Sequence, residues 1–470
     1  SSLAPEVLSL VFPPSFQGGA GGGSTFTILD STDPAQVLQA ARDFPPSESL
    51  YIVSSKSGGT AEVSAMLDYF WHLTNGDGAR FVAITDPGTS LDALANARGF
   101  RHTLLADPTV GGRFSVLADF GLLPMALMGL DISKVLDSAA RMMNECSDSI
   151  SAGRNPGLVL GAVLGEASLA GRDKLTLIAD PPVSAFGSWL EQLMAESSGK
   201  QGKGIVVVDG EPVGAPAVYA DDRLFVYLKA TGENDQAVAA LKEGGHPVLE
   251  FQIPDTYSLI AEIYRWEIAT AVACHLLGVN AFDQPDVQDN KDRMKSKINA
   301  YSQYGLLEEP LPIWEKDGIK ITTTQSLTGA TLKNLLAGFL ALARGGDYVA
   351  INAYLPRTPE MASALAELRL KVRRRTRCAT TVGFGPRFLH STGQLHKGGP
   401  DSGLFLQITA DPANDVEIPG QGLTFGVLER AQALGDYEAL DARGRRILRL
   451  HLPEPEAVSL LVDALQSTFH

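Results

Sequence analysis

The feature that most constrains this chain is a strict alternation of short β-rich runs with segments of helical period. "LYIVSS" at 50–55 is followed at once by "KSGGT", then by "AEVSAMLDYFWHL", then by "RFVAIT". In the third of these, apolar positions recur every three to four residues, which is the spacing of one helix face. Residues 50–85 therefore read as one strand–loop–helix–strand unit, the grammar of a parallel sheet. The grammar restarts with "KLTLIAD", "SAFGSWLEQLMAES", "GIVVVDG", "RLFVYLK", "DQAVAALKEGG" and "PVLEFQI", and runs into a long helix at about 257–277. It restarts again after Ile319 with "DYVAINAYL", "TPEMASALAELRLKVRRRT", "GLFLQITA", "TFGVLERAQALGDYEAL" and "RRILRLHL". The fold class is α/β, divided as 1–165, 166–318 and 319–470. A length of 470 residues suits two or three such units.

Charge and cysteine usage narrow the function. Acidic residues outnumber basic ones 54 to 39, for a net charge of −15. Such a surface repels a phosphate backbone, so no nucleic-acid partner is expected, although a local basic pocket can still hold a small anion. Three cysteines, Cys146, Cys274 and Cys378, form no CxxC pair and fit a reducing cytoplasm rather than a disulfide scaffold. Glu166 interrupts the nearest long apolar run, "GLVLGAVLGEASLAG", so no membrane span is expected. The chain opens on Ser1 rather than Met and has no signal-peptide pattern.

Several residues point to chemistry. In Ser55-Lys56-Ser57-Gly58-Gly59-Thr60, three hydroxyls, a lysine and two glycines join a strand to a helix start. Backbone N–H groups there point outward and, with the helix dipole, attract an anion. A plain N-cap needs fewer polar groups, so a phosphate site is favoured. The glycine-rich stretch at 18–25 lacks the Lys-Ser/Thr ending of a P-loop and reads as a turn followed by a strand. Arg113 follows Gly111 and Gly112, which suits either close approach to a developing oxyanion or a surface turn. Glu196 stands near a helix C-terminus, an electrostatically poor place for a carboxylate, with Gln192 one turn earlier. Desolvated, such a carboxylate could act as a base near neutral pH, though a solvated helix-end Glu fits too. Asp283, Asp286 and Asp289 lack the glycine and distal glutamate of a calcium loop, so no metal is expected. His390 and His396 share a Gly-rich loop, and Arg373, Arg374, Arg375 and Arg377 read as a solvated helix end.

Together these segments resemble the glucose-6-phosphate isomerase family. "DPTVGGRFSVLADFG" is similar to the family's first signature, built on Gly-Gly-Arg-[Phe/Tyr]-Ser. "GVNAFDQPDVQDNK" is similar to its second, Phe-Asp-Gln followed seven residues later by Lys. "SKSGGT" resembles the family's phosphate loop, and "QLMAESSGK" resembles the segment carrying its catalytic glutamate. Pro285, Asp286 and Gln288 depart from the usual aromatic, Gly and Glu. The family's histidine context lies between the Glu and Lys motifs; here its nearest likeness, "LHSTGQLHKGG", comes after Lys291. That order resembles the isomerase half of transaldolase/glucose-6-phosphate isomerase fusions.

The resemblance implies two SIS-type doubly wound parallel-sheet domains plus a C-terminal α/β section. It implies interconversion of glucose 6-phosphate and fructose 6-phosphate in the cytoplasm, without cofactor or metal. Carried over residue by residue, the catalytic set is Glu196, Lys291, His390 and Arg113, with His396 the rival of His390. The substrate-binding set is Ser1, Ser55, Lys56, Ser57, Thr60, Gln192 and Gln284. "SSLAPEVLSLVF" resembles the helix after the family's early glycine loop, with Ser1 ending that loop. The implied partners are a sugar phosphate, a second copy of the chain, and an upstream transaldolase domain.

Overall fold

The computed structural model describes residues 3–12 and 25–466. Ser1 and residues 18–24 of the glycine-rich stretch lie outside them. Helix α1 (Leu3–Val11) precedes α2 (Pro34–Asp43), which Asp33 caps by accepting from the Gln36 N–H, with Pro34 pre-set for the first turn. The strand expected after residue 25 does not form: 25–33 is irregular, tied sideways by Asp30 to Arg387 and by Thr32 to Gln432 instead of to a neighbouring strand.

Strand β1 (Tyr51–Ser54), helix α3 (Ala61–Leu73), β2 (Phe81–Thr85), α4 (Ser90–Ala97) and β3 (His102–Leu105) form a parallel sheet in chain order. Helices α5 (Asp119–Leu127), α6 (Ile132–Glu145) and α7 (Pro156–Leu169) lead to the second sheet. There β4 (Lys174–Ala179), α8 (Phe186–Ser198), β5 (Val206–Val208), β6 (Arg223–Lys229), α9 (Asp235–Glu243) and β7 (Val248–Gln252) give the parallel order β5-β4-β6-β7. The chain turns back past β4, so a crevice opens at the carboxyl ends of these strands.

Helix α10 (Ser258–Leu277) then packs along α7. Gly157, Gly161 and Gly165 line that contact; a Cβ at Gly161 would stand 2.5 Å from the Val272 Cβ. The apolar run containing Glu166 is thus a close-packed helix that places Leu160 and Leu164 in the main core with Trp189 and Trp266. Among the described residues no helix is long and apolar enough to cross a membrane.

After α11 (Gln288–Tyr304) come β8 (Trp314–Lys316), β9 (Ile319–Thr322), α12 (Leu332–Leu340), β10 (Tyr348–Tyr354), α13 (Pro359–Thr376) and β11 (Ala379–Phe384). They are followed by α14 (Gly393–Gly398), β12 (Gly403–Ala410), the small hairpin β13 (Glu417–Ile418) and β14 (Leu423–Thr424), α15 (Phe425–Asp441), β15 (Arg446–Leu452) and α16 (Val458–Ala464). The third sheet runs β11-β10-β12-β15-β9-β8, parallel except where β9 meets β15 and β8.

The second and third sheets are welded by a buried charge cluster. Glu211 accepts from Thr380 Oγ1 at 2.5 Å and lies 3.1 Å from Arg373 and 3.5 Å from Arg223. The expectation of a solvated arginine run therefore fails at Arg373. Its guanidinium is only 5% exposed, because it must neutralise Glu211 and donate to the Pro212 carbonyl. Arg374 and Arg375 remain exposed.

Candidate active site

The chain leaves β1 into the Ser55–Thr60 hydroxyl cluster, where Ser55 Oγ and Thr60 Oγ1 stand 3.1 Å apart. Thr60 is the N-cap residue of α3, and its side chain makes no capping bond to the first-turn N–H groups. Gly58 has φ +69°, and a Cβ there would meet the Leu91 nitrogen at 2.8 Å. Only glycine fits that turn. Lys56 lines the cavity, but its ammonium is committed elsewhere: it pairs with Asp86 at 2.6 Å and donates to the Pro108 carbonyl at 3.1 Å. It braces the loop.

Arg113 is 2% exposed and fully engaged. Its Nε donates to Ser197 Oγ (2.7 Å), Nη1 to Gln284 Oε1 (2.9 Å), and Nη2 to the Ala281 (2.5 Å) and Asp283 (3.2 Å) carbonyls. Nη1 also stands 3.6 Å from Glu196 Oε1. Of the readings open at Arg113, the surface turn is excluded by this burial. Glu196 sits in the last turn of α8 with its side chain 14% exposed. Burial raises its carboxyl above the ordinary 4.5, and Arg113 chiefly opposes that rise. Gln192, one turn earlier, donates to the His390 carbonyl at 2.8 Å and approaches Glu196 Oε2 at 3.4 Å. Its buried Oε1 has no hydrogen-bond partner among the described residues.

His390 arrives from the third sheet. The chain leaves β11 through a 3-10 turn, Arg387–His390, and Arg387 anchors that turn to Asp30 at 2.6 Å and to Glu6. His390 Nε2 lies 3.0 Å from Glu62 Oε1. Its side chain is 44% exposed because it faces the cavity. Burial works against the imidazolium, but the Glu62 carboxylate outweighs it and the pKa is raised above 6.5. Burial would likewise raise Glu62, yet His390 and Lys291 hold its carboxyl below the ordinary 4.5. Each group thus favours the charged form of the other.

His396 has a different setting. It lies in α14 rather than a loop, 2% exposed, with its ring among Phe388, Phe405 and Tyr348. Burial and the neighbouring Lys397 and Arg445 keep it neutral, with a pKa well below 6.5.

Ser55, Lys56, Ser57, Thr60, Arg113, Gln192, Glu196, Gln284, Lys291 and His390 all line one cavity of about 1000 Å³; His396 does not. Ser1 lies outside the described residues. Two residues escape the sequence reading. Glu62 is one; an acid in the first turn of an otherwise apolar helix was its only local signal. Lys200 is the other: it donates to the Asn280 carbonyl (2.5 Å) and to Asp283 Oδ1 (2.7 Å), fixing the loop that carries Gln284. The three aspartates after α10 are likewise tied to cations or amides, namely Lys200, Arg443, Arg293 and Gln394.

No family model matches the chain. Among curated proteins, it is 28% identical over 345 residues to the glucose-6-phosphate isomerase of Prochlorococcus marinus, with 64% of each chain covered. It is 31% identical over 344 residues to that of Rubrobacter xylanophilus, covering 62% of this chain and 78% of the relative. To that of Leptospira biflexa it is 32% identical over 257 residues, covering 46% and 57%. The chain thus spans less than two thirds of the Prochlorococcus and Leptospira proteins. Among solved structures, a hypothetical protein of Thermus thermophilus shares the fold. Its TM-score is 0.56 at 24% identity, over 63% of this chain and 81% of that one. With a relative above 30% identity covered over more than two thirds of its length, the chain belongs to the glucose-6-phosphate isomerase family.

Proposed function

We propose that this chain interconverts glucose 6-phosphate and fructose 6-phosphate through a cis-enediol. The observation that carries the reading is the meeting, on one cavity wall, of an anion cradle from the first sheet, Glu196 and Arg113 from around the second, and His390 from the third. A cavity of about 1000 Å³ is ample for a hexose phosphate. Ser55, Ser57, Thr60 and the first-turn N–H groups of α3 take the phosphate. His390 and Lys291 open the ring by moving a proton between the ring oxygen and the anomeric hydroxyl. Glu196, kept a stronger base than usual by burial, takes the C2 proton of the open-chain aldose while O1 gains a proton. The same carboxyl returns its proton to C1 as O2–H is deprotonated, which leaves the ketose. Arg113 stabilises the negative charge that develops on the oxygens. Gln284 and the unpartnered Oε1 of Gln192 orient hydroxyls.

The test is a coupled assay for glucose 6-phosphate formed from fructose 6-phosphate. Turnover that falls at least about 10²–10⁴-fold in Glu196→Gln supports the reading. No turnover by the parent chain, or near-normal turnover in that variant, overturns it. Mannose 6-phosphate and an amino-sugar phosphate in the same panel separate related isomerases. By resemblance we also place the chain as a homodimer and beside a transaldolase unit in its parent polypeptide. Light scattering and a transaldolase assay on the parent test these two points.

A further inference from the structure

Behind His390 runs a chain of buried hydrogen bonds. Thr32 Oγ1 donates to Gln432 Oε1 at 2.8 Å, Gln432 Nε2 donates to Glu62 Oε1 at 2.6 Å, and the same oxygen meets His390 Nε2 at 3.0 Å. Thr32, Gln432 and Glu62 are 0%, 1% and 7% exposed. Gln432 belongs to α15 and does not line the cavity.

The direction of each bond follows from charge. An ionised carboxylate 2.6 Å away admits only the nitrogen end of the Gln432 amide, since its oxygen there would face another oxygen. Thr32 holds the amide in that sense by donating to the other end. Glu62, already accepting from Gln432, can meet His390 only as an acceptor, so His390 Nε2 must carry a proton. That leaves Nδ1 as the ring nitrogen not engaged by Glu62. The remaining charged or titratable neighbours are Lys291 and Glu196 on the cavity side, with Tyr354, Glu429 and the Lys397–Asp436 pair behind.

We infer that Gln432 is a positioning residue for the isomerase reaction: its amide, oriented by Thr32, fixes Glu62 as the acceptor of His390 Nε2–H and so leaves Nδ1 for the substrate. The inference rests on the function proposed above for His390, but its primary test does not use turnover. With ¹⁵N-histidine labelling, the ring nitrogens of His390, assigned by their loss in His390→Asn, report the protonated position directly. Recorded at a pH high enough for the ring to be neutral, the parent chain should show a proton on Nε2, and Gln432→Leu should shift population toward Nδ1–H. In the assay, Gln432→Leu should lower kcat about 10- to 100-fold, the worth of a hydrogen bond to a charged group, with little change in KM for fructose 6-phosphate. Gln432→Glu should restore the ring signature and most of the turnover while its new carboxyl is protonated and can donate to Glu62. It should lose both as pH rises and that proton leaves.

Unchanged His390 signals in Gln432→Leu overturn the inference. So does equal, pH-independent loss in both variants, which a merely structural role would give. If Gln432→Leu does not fold, the pH dependence of Gln432→Glu decides alone. Ring signals that respond as described in a parent chain without turnover would leave Gln432 as assigned and remove the isomerase reading.

Discussion

Replacing Arg113 by Gln removes the guanidinium that lies 3.6 Å from the Glu196 carboxylate, between side chains 2% and 14% exposed. Two unit charges at that distance interact by about 4–5 kcal/mol at an effective dielectric near 20. Solvent reaching Glu196 through the cavity discounts this by about half. The sign is fixed: burial already raises the Glu196 pKa and Arg113 is the main force against it. Without Arg113 the acid limb of kcat/KM moves to higher pH. At neutral pH a larger share of the base is then protonated, and the charge on the intermediate has lost its partner, so turnover falls a further ~10²–10³-fold. Raising the pH should recover the first loss and leave the second. Arg113→Lys keeps a positive charge but cannot reach Ser197, Gln284, Ala281 and Asp283 with one ammonium. Its acid limb should stay near the parent's while kcat drops. The assay is kcat/KM for fructose 6-phosphate over about pH 5–10, with circular dichroism confirming the fold. A folded Arg113→Gln whose acid limb coincides with the parent's would refute the electrostatic argument.

Glu62→Gln should move the basic limb of the same profile to lower pH, because Glu62 is what holds the His390 pKa above 6.5. Its Tm deficit should be full between about pH 4.5 and 6.5, fade at higher pH as His390 loses its proton, and fade at lower pH as Glu62 gains one; a deficit constant with pH would contradict the pairing. Thr60→Val removes a phosphate donor and should raise KM about 2–10-fold with kcat nearly unchanged, as measured by initial rates. Glu211→Leu strands the Arg223, Arg369 and Arg373 guanidiniums and should cost about 3–5 kcal/mol in urea unfolding. A loss below about 1 kcal/mol would mean that water already screens the cluster.

Much of the site was legible because its parts are local. The hydroxyl loop, the Gly-Gly-Arg turn and the glutamate at the end of α8 each declare themselves within about ten residues, where spacing and helix-end geometry act. The lysine of the loop shows the limit of that logic. Its neighbours in sequence suggest an anion ligand, whereas Asp86, thirty residues on, takes its charge. Arg373 repeats the lesson, since the carboxylate that buries it lies in the second sheet.

By itself, the sequence determined the alternating α/β class, the main buried strands from Tyr51 to Leu452, and which loops carry hydroxyls, carboxylates and guanidinium. These follow from periodicity and from the special backbone needs of short turns. Only the tertiary structure distinguishes the settings of His390 and His396. One ring meets Glu62 across a separation of 328 residues, and the other is closed among three aromatic rings. Sequence spacing carries no information about such a meeting. It is set by which strand end of the third sheet faces α3, and by a buried amide on α15 that gives the pair its direction.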